Sequence, residues 1–559
     1  MGVAISIQDL SFTYAYAETS RPALRHVNGE VEEGTFVVIM GHEGAGKSTL
    51  CYALNALVPR FFRGEYTGRV VVHGLEVGNA RVAEMSRRVG LVLQDFEAQL
   101  FSTSVELEVA FGPENLCLPR EEIERRIDRY LRFVGLAEMR RREPASLSGG
   151  QKQRLAIASV LALEPPVLVM DEPTTDLDPI GREEVLTVAD TLRQEQRTLL
   201  IVDHDPETGV DADQIWLMRD GEIVAQGPPR RVLTDLPLLE SCGVQPPSTV
   251  ALFQTLGWPG QPLTVEEAIA AIQKHDLARP RPLQVPTAST DGRPVILEMC
   301  DVDFVYPTRA VKALDGVGLE IHEGEFIAIV GQNGSGKTTL AKHLNGLLKP
   351  TRGEVLFRGR PVREIRRTEI ARCVGYVFQN PDHQIFASTV REEVGFSLKM
   401  AGMDAKTIEE RVAEALEVVG LSGYEEEVPF TLTKGERQRV AVASVLAAQP
   451  QVIILDEPTT GLDYRHQRSM MEMLQALHRR GHTVIIITHS MWVAAEYAER
   501  VVVMKDGQVL LDGPTRAVFA QEETLAEAAL RPPPLLRLGN WLGTSGLTLD
   551  AVVEELRAR

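Results

Sequence analysis

Two octapeptides in this chain combine glycines, a lysine and a hydroxyl residue at a spacing suited to a polyanion. They read Gly41-His42-Glu43-Gly44-Ala45-Gly46-Lys47-Ser48 and Gly331-Gln332-Asn333-Gly334-Ser335-Gly336-Lys337-Thr338. Glycine lets successive backbone N–H groups converge on one point, lysine adds a cation, and a hydroxyl is a hard ligand for a divalent metal. Both fit the P-loop pattern G-x-x-x-x-G-K-[ST], whose chemistry is the holding of a nucleoside triphosphate. On that pattern Gly41, Gly44, Gly46, Gly331, Asn333, Gly334 and Gly336 line the phosphate cradle. Lys47 and Lys337 reach the β and γ oxygens, Ser48 and Thr338 hold Mg2+, and Thr49 and Thr339 stand beside them in the same turn.

Other residues complete the chemistry. Asp171-Glu172 and Asp456-Glu457 each end a short apolar run. A carboxylate at the carboxyl end of a core strand can join a Mg2+ shell, and its neighbour can act as general base toward the attacking water. His204 and His489 follow further apolar runs and suit a contact to the γ-phosphate that orients this water. Gln94 and Gln379 also follow strand-like runs, where a neutral amide can bridge the metal, the water and a moving loop. Asp171, Asp456, Gln94 and Gln379 thus join Ser48 and Thr338 as candidate metal-side residues, and Glu172, Glu457, His204 and His489 as candidate catalytic ones.

These groups need elements to carry them. A P-loop works between a strand and a helix, and residues 36–40 and 326–330 are strand-like before helix-like continuations. Residues 167–170, 198–202, 452–455 and 483–487 are short, apolar and β-branched, as in the buried strands of a mainly parallel sheet. The fold class is therefore α/β, and it occurs twice. Gln94 and Gln379, Ser148 and Thr433, Asp171 and Asp456, and His204 and His489 all stand 285 residues apart; the P-loops stand 290 apart, so length changes fall between P-loop and glutamine. The repeat extends to the tails: Leu256-Gly257-Trp258 is echoed by Leu538-Gly539-Asn540-Trp541, and Leu263-Thr264-Val265 by Leu547-Thr548-Leu549. The expected organisation is a nucleotide-binding domain over 1–230, a helical appendage over 231–277, a proline-rich linker over 278–294, a second domain over 295–514 and a second appendage over 515–559.

Composition sets limits. The 559 residues, 44% hydrophobic and 25% charged, suit a multidomain globular chain. No run approaches the length of a membrane span, and residues 1–18 lack a signal-peptide pattern, so a cytoplasmic protein is expected. Five scattered cysteines without a C-x-x-C pair indicate neither a zinc site nor a disulfide framework. A net charge of −19 disfavours nucleic acid and suits a basic protein partner.

Between glutamine and glutamate the first half reads Leu147-Ser148-Gly149-Gly150-Gln151, and here the chain resembles the ATP-binding cassette (ABC) ATPases. P-loop, glutamine loop, signature, Asp-Glu, the turn Asp176-Leu177-Asp178 and His204 follow that family's order. The resemblance implies that Tyr14 and Tyr306 stack on adenine, and that a helical subdomain carries the signature. It further implies that two cassettes meet head to tail, with each ATP between one P-loop and the other signature. Ser148, Gly149, Gly150 and Gln151 would then serve the second P-loop, and Thr433 and Gly435 the first. The second signature is altered to Leu432-Thr433-Lys434-Gly435-Glu436, and the first P-loop carries Glu43. Both departures fall on one composite site, which is expected to bind ATP and turn over slowly.

The passages Gln94-Asp95-Phe96-Glu97-Ala98-Gln99-Leu100-Phe101 and Gln379-Asn380-Pro381-Asp382-His383-Gln384-Ile385-Phe386, with the stretch from Glu108 to Asn115, resemble the ATPases of energy-coupling factor importers. That resemblance implies uptake of a vitamin or transition-metal ion. It also implies a membrane T component docked beside the glutamine loops, a small substrate-binding S component, and a peripheral location on the inner face of the cell membrane. Asp95, Glu97 and Asp382 are expected to accept arginines of such a partner. Two other classes remain open at this stage: a soluble twin-cassette ATPase acting on ribosomes or nucleoprotein, and an exporter ATPase.

Overall fold

The computed structural model describes residues 2–16, 21–175, 177, 179–285, 292–307 and 311–559. Asp176 and Asp178, and residues 286–291 of the expected linker, lie outside the described residues. The chain divides into two compact units, Met1–Glu267 with Asp463–Arg465, and Ala268–Leu462 with His466–Arg559.

In the first unit a six-stranded sheet runs in the order Glu222–Gly227, Gln214–Arg219, Phe36–Gly41, Thr198–Val202, Val167–Asp171, Val89–Val92. Only its first pair is antiparallel. The apolar runs read from the sequence are these strands, because a parallel sheet covered on both faces needs side chains that are apolar at every position. Successive residues enter different cores. Val37, Ile39, Val169 and Val202 pack with Ile5, Leu10 and Val70, whereas Val38, Met40, Met170 and Ile201 pack with Val109, Ile127 and Leu155.

The residues on the Ile5 side of this core belong to a four-stranded antiparallel sheet, Leu24–Glu32, Val3–Tyr14, Gly64–Val72, Leu75–Glu76. The sequence reading, which set strands against helices only, did not anticipate this second sheet. On the other side stand the helices Val105–Asn115, Arg120–Phe133 and Gly149–Leu161, the last beginning at the signature.

The second unit repeats the plan. Its six-stranded sheet runs Val374–Val377, Val452–Asp456, Thr483–Ile487, Phe326–Gly331, Arg500–Lys505, Gln508–Pro514, antiparallel only at the last pair. Its antiparallel sheet is Val311–His322, Val295–Tyr306, Arg352–Phe357, Arg360–Pro361. The helices Val390–Met400, Ala405–Val418 and Lys434–Leu446 carry the altered signature.

Short helices close each unit on its helical side. Val232, Leu239 and Val250 join the first such core, and Phe519, Leu525 and Leu536 the second. One tail echo needs correction. Gly257, at φ 67°, caps Ser248–Leu256, and Gly543, also at φ 67°, caps Pro534–Leu542, so Gly543 rather than Gly539 is the structural counterpart of Gly257. Trp258 follows its cap while Trp541 lies inside its helix. The second echo places its threonines alike: Thr264 Oγ1 accepts from Glu267 N at 3.1 Å and Thr548 Oγ1 from Ala551 N at 3.3 Å.

Candidate functional site

The carboxyl ends of three neighbouring parallel strands gather the candidate residues of each cassette. Ile39 pairs with Val202 and Val202 with Asp171, so the loop after Gly41, the turn carrying His204 and the Asp171-Glu172 pair open side by side. Ile329, Ile487 and Asp456 do the same in the second cassette. Such strand ends form the crevice in which open α/β sheets bind ligands.

Gly46 and Gly336 hold φ 97° and 102°, and a Cβ there would run into the carbonyl oxygens of Ala23 and Ala313. Only glycine lets the loop turn so closely into the helices Lys47–Leu54 and Lys337–Leu344. The lysine of each loop is buried and folded back: Lys47 Nζ donates to Gly41 O at 2.9 Å and His42 O at 2.8 Å, Lys337 Nζ to Gly331 O and Gln332 O at 2.8 Å each. Burial pulls Lys47 below the ordinary lysine value against the opposing charges of Glu172 and Asp171. Tyr14 and Tyr306 lie over the same first turns, their hydroxyls 3.0 Å and 3.2 Å from Thr49 Oγ1 and Thr339 Oγ1. These tyrosine–threonine contacts were not read from the sequence.

The glutamates sit in strained backbone, Glu172 at φ 48° and Glu457 at φ 52°, with amides bonded to Val202 O at 3.1 Å and Ile487 O at 2.9 Å. Left-handed conformation is uncommon outside glycine and marks a residue that its surroundings must hold. His204 Nε2 lies 2.6 Å from Glu172 Oε1, and His489 Nδ1 lies 2.8 Å from Glu457 Oε2. Gln94 Nε2 donates to Glu172 Oε2 at 2.8 Å. Gln94 thus meets the glutamate rather than Asp171, and no matching bond to Gln379 is found among the described residues. Burial alone would raise Glu172, but the His204 bond and charge, with Lys47 and Thr175, outweigh it and hold the carboxyl at about 2. A carboxylate that stays ionised at neutral pH beside a histidine can accept a hydrogen bond from water and polarise it.

The two aspartates differ. Asp171 is fully buried and neither oxygen meets a hydrogen-bond donor; burial lifts it to about 6, with Glu172 adding to the rise. The Ser48 hydroxyl is near enough to lower that value without reaching bonding geometry. Asp456 Oδ1 accepts from Thr338 Oγ1 at 3.2 Å and Oδ2 from Tyr376 at 2.8 Å. Orphaned buried anionic oxygens beside a hydroxyl fit a hard cation. No group of three or more acidic, histidine or cysteine ligands exists among the described residues. One carboxylate, one hydroxyl and phosphate oxygens are the donor set Mg2+ takes at phosphate sites.

The signatures also differ. Ser148 caps Gly149–Leu161, its oxygen accepting from Gln151 N at 3.4 Å while Gln151 Oε1 accepts from Ser148 N at 3.1 Å. Thr433 caps Lys434–Leu446, but its hydroxyl donates to Glu436 Oε2 at 2.9 Å, and Tyr424 donates to Glu436 Oε1 at 3.2 Å. Glu436 is thus folded onto its own helix cap, and the threonine hydroxyl is engaged.

Beside each glutamine loop, Phe101 packs edge-on against Phe111 with centroids 4.6 Å apart, and Phe386 against Phe396 at 4.7 Å. All four rings are exposed. Beneath them lie Glu108 and Glu393, buried glutamates to which the sequence assigns no role, although Glu108 opens the stretch that carries the resemblance. Glu108 Oε2 accepts from Phe101 N at 3.0 Å and Ser102 N at 2.7 Å; Glu393 Oε2 accepts from Phe386 N and Ala387 N, both at 2.9 Å. A charge on the apolar side of a helix, repeated 285 residues on, was the available signal. Glu97 and Asp382, expected to await a partner's arginines, have internal cations: Lys152 Nζ at 2.7 Å and Arg437 Nε at 2.8 Å.

Comparison with known proteins agrees with this geometry. The family profile described as ABC transporter matches residues 24–175 and 314–460. A protein of Caldanaerobacter subterraneus subsp. tengcongensis named as an ABC transporter ATP-binding protein is 50% identical over 559 residues, covering 98% of both chains. A Methanosarcina acetivorans protein named in the same way is 39% identical over 567 residues, covering 98% of this chain and 92% of its own. Among solved structures, CbiO1 of Clostridium perfringens, described as part of the ABC transporter complex CbiONQ, is 36% identical over 44% of this chain and 98% of its own, with a TM-score of 0.39. The chain belongs to the ABC transporter family and is an ATPase made of two tandem cassettes.

Proposed function

We propose that this chain is the energy-coupling ATPase of an importer of the energy-coupling factor type, taking up a vitamin or a transition-metal ion. It would work at the inner face of the membrane with a T component and a small S component. The observation that carries this reading is the duplicated pair of exposed phenylalanines beside each glutamine loop, Phe101 with Phe111 and Phe386 with Phe396, which 62% exposure of Phe101 and Phe386 leaves open to a partner. Apolar aromatic surface held on a clamped loop suits an amphipathic coupling helix.

In the catalytic cycle so proposed, Lys47 and Lys337 leave their loop carbonyls for the β and γ oxygens of ATP, and Tyr14 and Tyr306 face adenine. Ser48 with Asp171, and Thr338 with Asp456, would hold Mg2+, which neutralises developing phosphate charge. Glu172 and Glu457 polarise the attacking water; His204 and His489 orient it. By the family resemblance, Ser148 to Gln151 would serve the ATP of the second P-loop, and Thr433 and Gly435 that of the first. Glu436, holding the Thr433 hydroxyl, makes the first P-loop's composite site the slow one. The cassettes would span 1–230 and 295–514.

Gentle detergent extraction from native membranes followed by mass spectrometry tests the importer. Recovery with one polytopic and one small membrane protein is expected; recovery with ribosomes, or without membrane protein, would refute it. Site asymmetry is tested by comparing Glu457→Gln with Glu172→Gln. The first should abolish most ATPase activity and the second little; equal losses would sink the asymmetry.

A further inference from the structure

Tyr376 plays no part in the cycle above. It lies on Val374–Val377, pairs in register with Ile454, and is buried. Its phenol O–H donates to Asp456 Oδ2 at 2.8 Å while Thr338 Oγ1 donates to Oδ1 at 3.2 Å, so the carboxylate is fixed at both oxygens. The matching residue of the first cassette is Leu91, buried on Val89–Val92, and the Asp171 it accompanies has no donor on either oxygen. One cassette therefore has a carboxylate held by a donor at each oxygen, the other a buried carboxylate that no donor orients.

We propose that Tyr376 is a positioning residue for the divalent cation of the second cassette, which consequently binds cation with nucleotide more tightly than the first. The inference rests on the nucleotide-site reading above. A carboxylate has about four lone-pair positions, so two donors still leave room for a metal. Donors behind a ligating carboxylate set its orientation, and their loss characteristically weakens metal binding 10- to 100-fold. A neutral phenol is expected at the lower end of that range.

The test is a Mn2+ titration of the full chain with a non-hydrolysable ATP analogue, read by electron paramagnetic resonance. Wild type should show two nucleotide-dependent Mn2+ classes separated about 10-fold. Tyr376→Phe, which removes one oxygen and keeps the ring packing, should lower the tight class toward the weak one. Leu91→Tyr should tighten the weak class. Two equal classes in wild type, or a tight class untouched by Tyr376→Phe, would overturn the proposal while leaving the nucleotide sites standing. Absence of nucleotide-dependent Mn2+ binding would overturn the nucleotide-site reading itself.

Discussion

Replacing Asp171 by asparagine should make the nucleotide-free protein more stable. Asp171 is completely buried without a donor on either oxygen, and burial raises its carboxyl from the ordinary 3.8 to about 6. At about 1.4 kcal/mol per pH unit, keeping this group ionised at pH 7 costs the fold at most about 3 kcal/mol. Asparagine removes the charge at nearly constant shape, so a gain of about 1–3 kcal/mol is expected at pH 7. The sign follows from the raised pKa: the stability that protonation confers is complete below about 3.8 and is lost as pH rises through about 6. The advantage of Asp171→Asn should therefore fade as pH is lowered from 7 to 4. Asp456→Asn is the internal control, because Asp456 accepts from Tyr376 and Thr338 and an amide oxygen replaces only one of its two acceptors. Native-state hydrogen exchange reads the cassettes separately through Val167–Asp171 and Val452–Asp456. With saturating Mg2+ and ATP the advantage should shrink, since ligand at 100 times its Kd adds about 2.7 kcal/mol to wild type and less to a variant that binds it more weakly. No gain from Asp171→Asn, or equal gains at both aspartates, would refute the reasoning.

Glu393→Gln should leave the Phe386 and Ala387 amides with a weaker acceptor, a loss of about 1–2 kcal/mol seen as faster exchange at those two positions and unchanged exchange in the core strands. Glu172, held at about 2 against an ordinary 4.5, contributes stability that is complete above about 4.5 and lost as pH falls toward 2. His204→Ala should accordingly shift the acid-unfolding midpoint of the first cassette upward; an unmoved midpoint would contradict the pairing. Glu436→Gln should weaken the cap of Lys434–Leu446 by about 0.5–1 kcal/mol while freeing Thr433. In a Glu457→Gln background it should raise residual ATPase activity, and a further fall would count against the engaged hydroxyl as the cause of slow turnover.

The buried parallel strands were legible because complete burial favours apolar residues at successive positions, and in Val167–Asp171 and Thr198–Val202 only the terminal Asp171 and Thr198 depart from that. Val3–Tyr14 was not, since its pattern breaks at Asp9, which adopts φ 51° at a register shift. Which residues could touch phosphate was readable from spacing; what they touch in the folded chain was not. Thr433 and Glu436 nonetheless form a capping box visible in the sequence, which foretells that the glutamate turns back on the threonine. The burial of Glu108 and Glu393 was not legible because amphipathic patterning assigns charges to solvent, whereas here two orphan amides retain each of them inside. Tyr376 reads as an ordinary strand aromatic until register puts its hydroxyl on Asp456.

The covalent joining of the two cassettes has a genetic consequence. In an assembly of two identical chains every substitution is imposed twice, and a residue good for one nucleotide but harmful to the other is eliminated. Here Leu91 and Tyr376, or Gln151 and Glu436, occupy matching places and can be substituted independently. One gene thus carries two linked versions of each position, so the halves can specialise and are always inherited together.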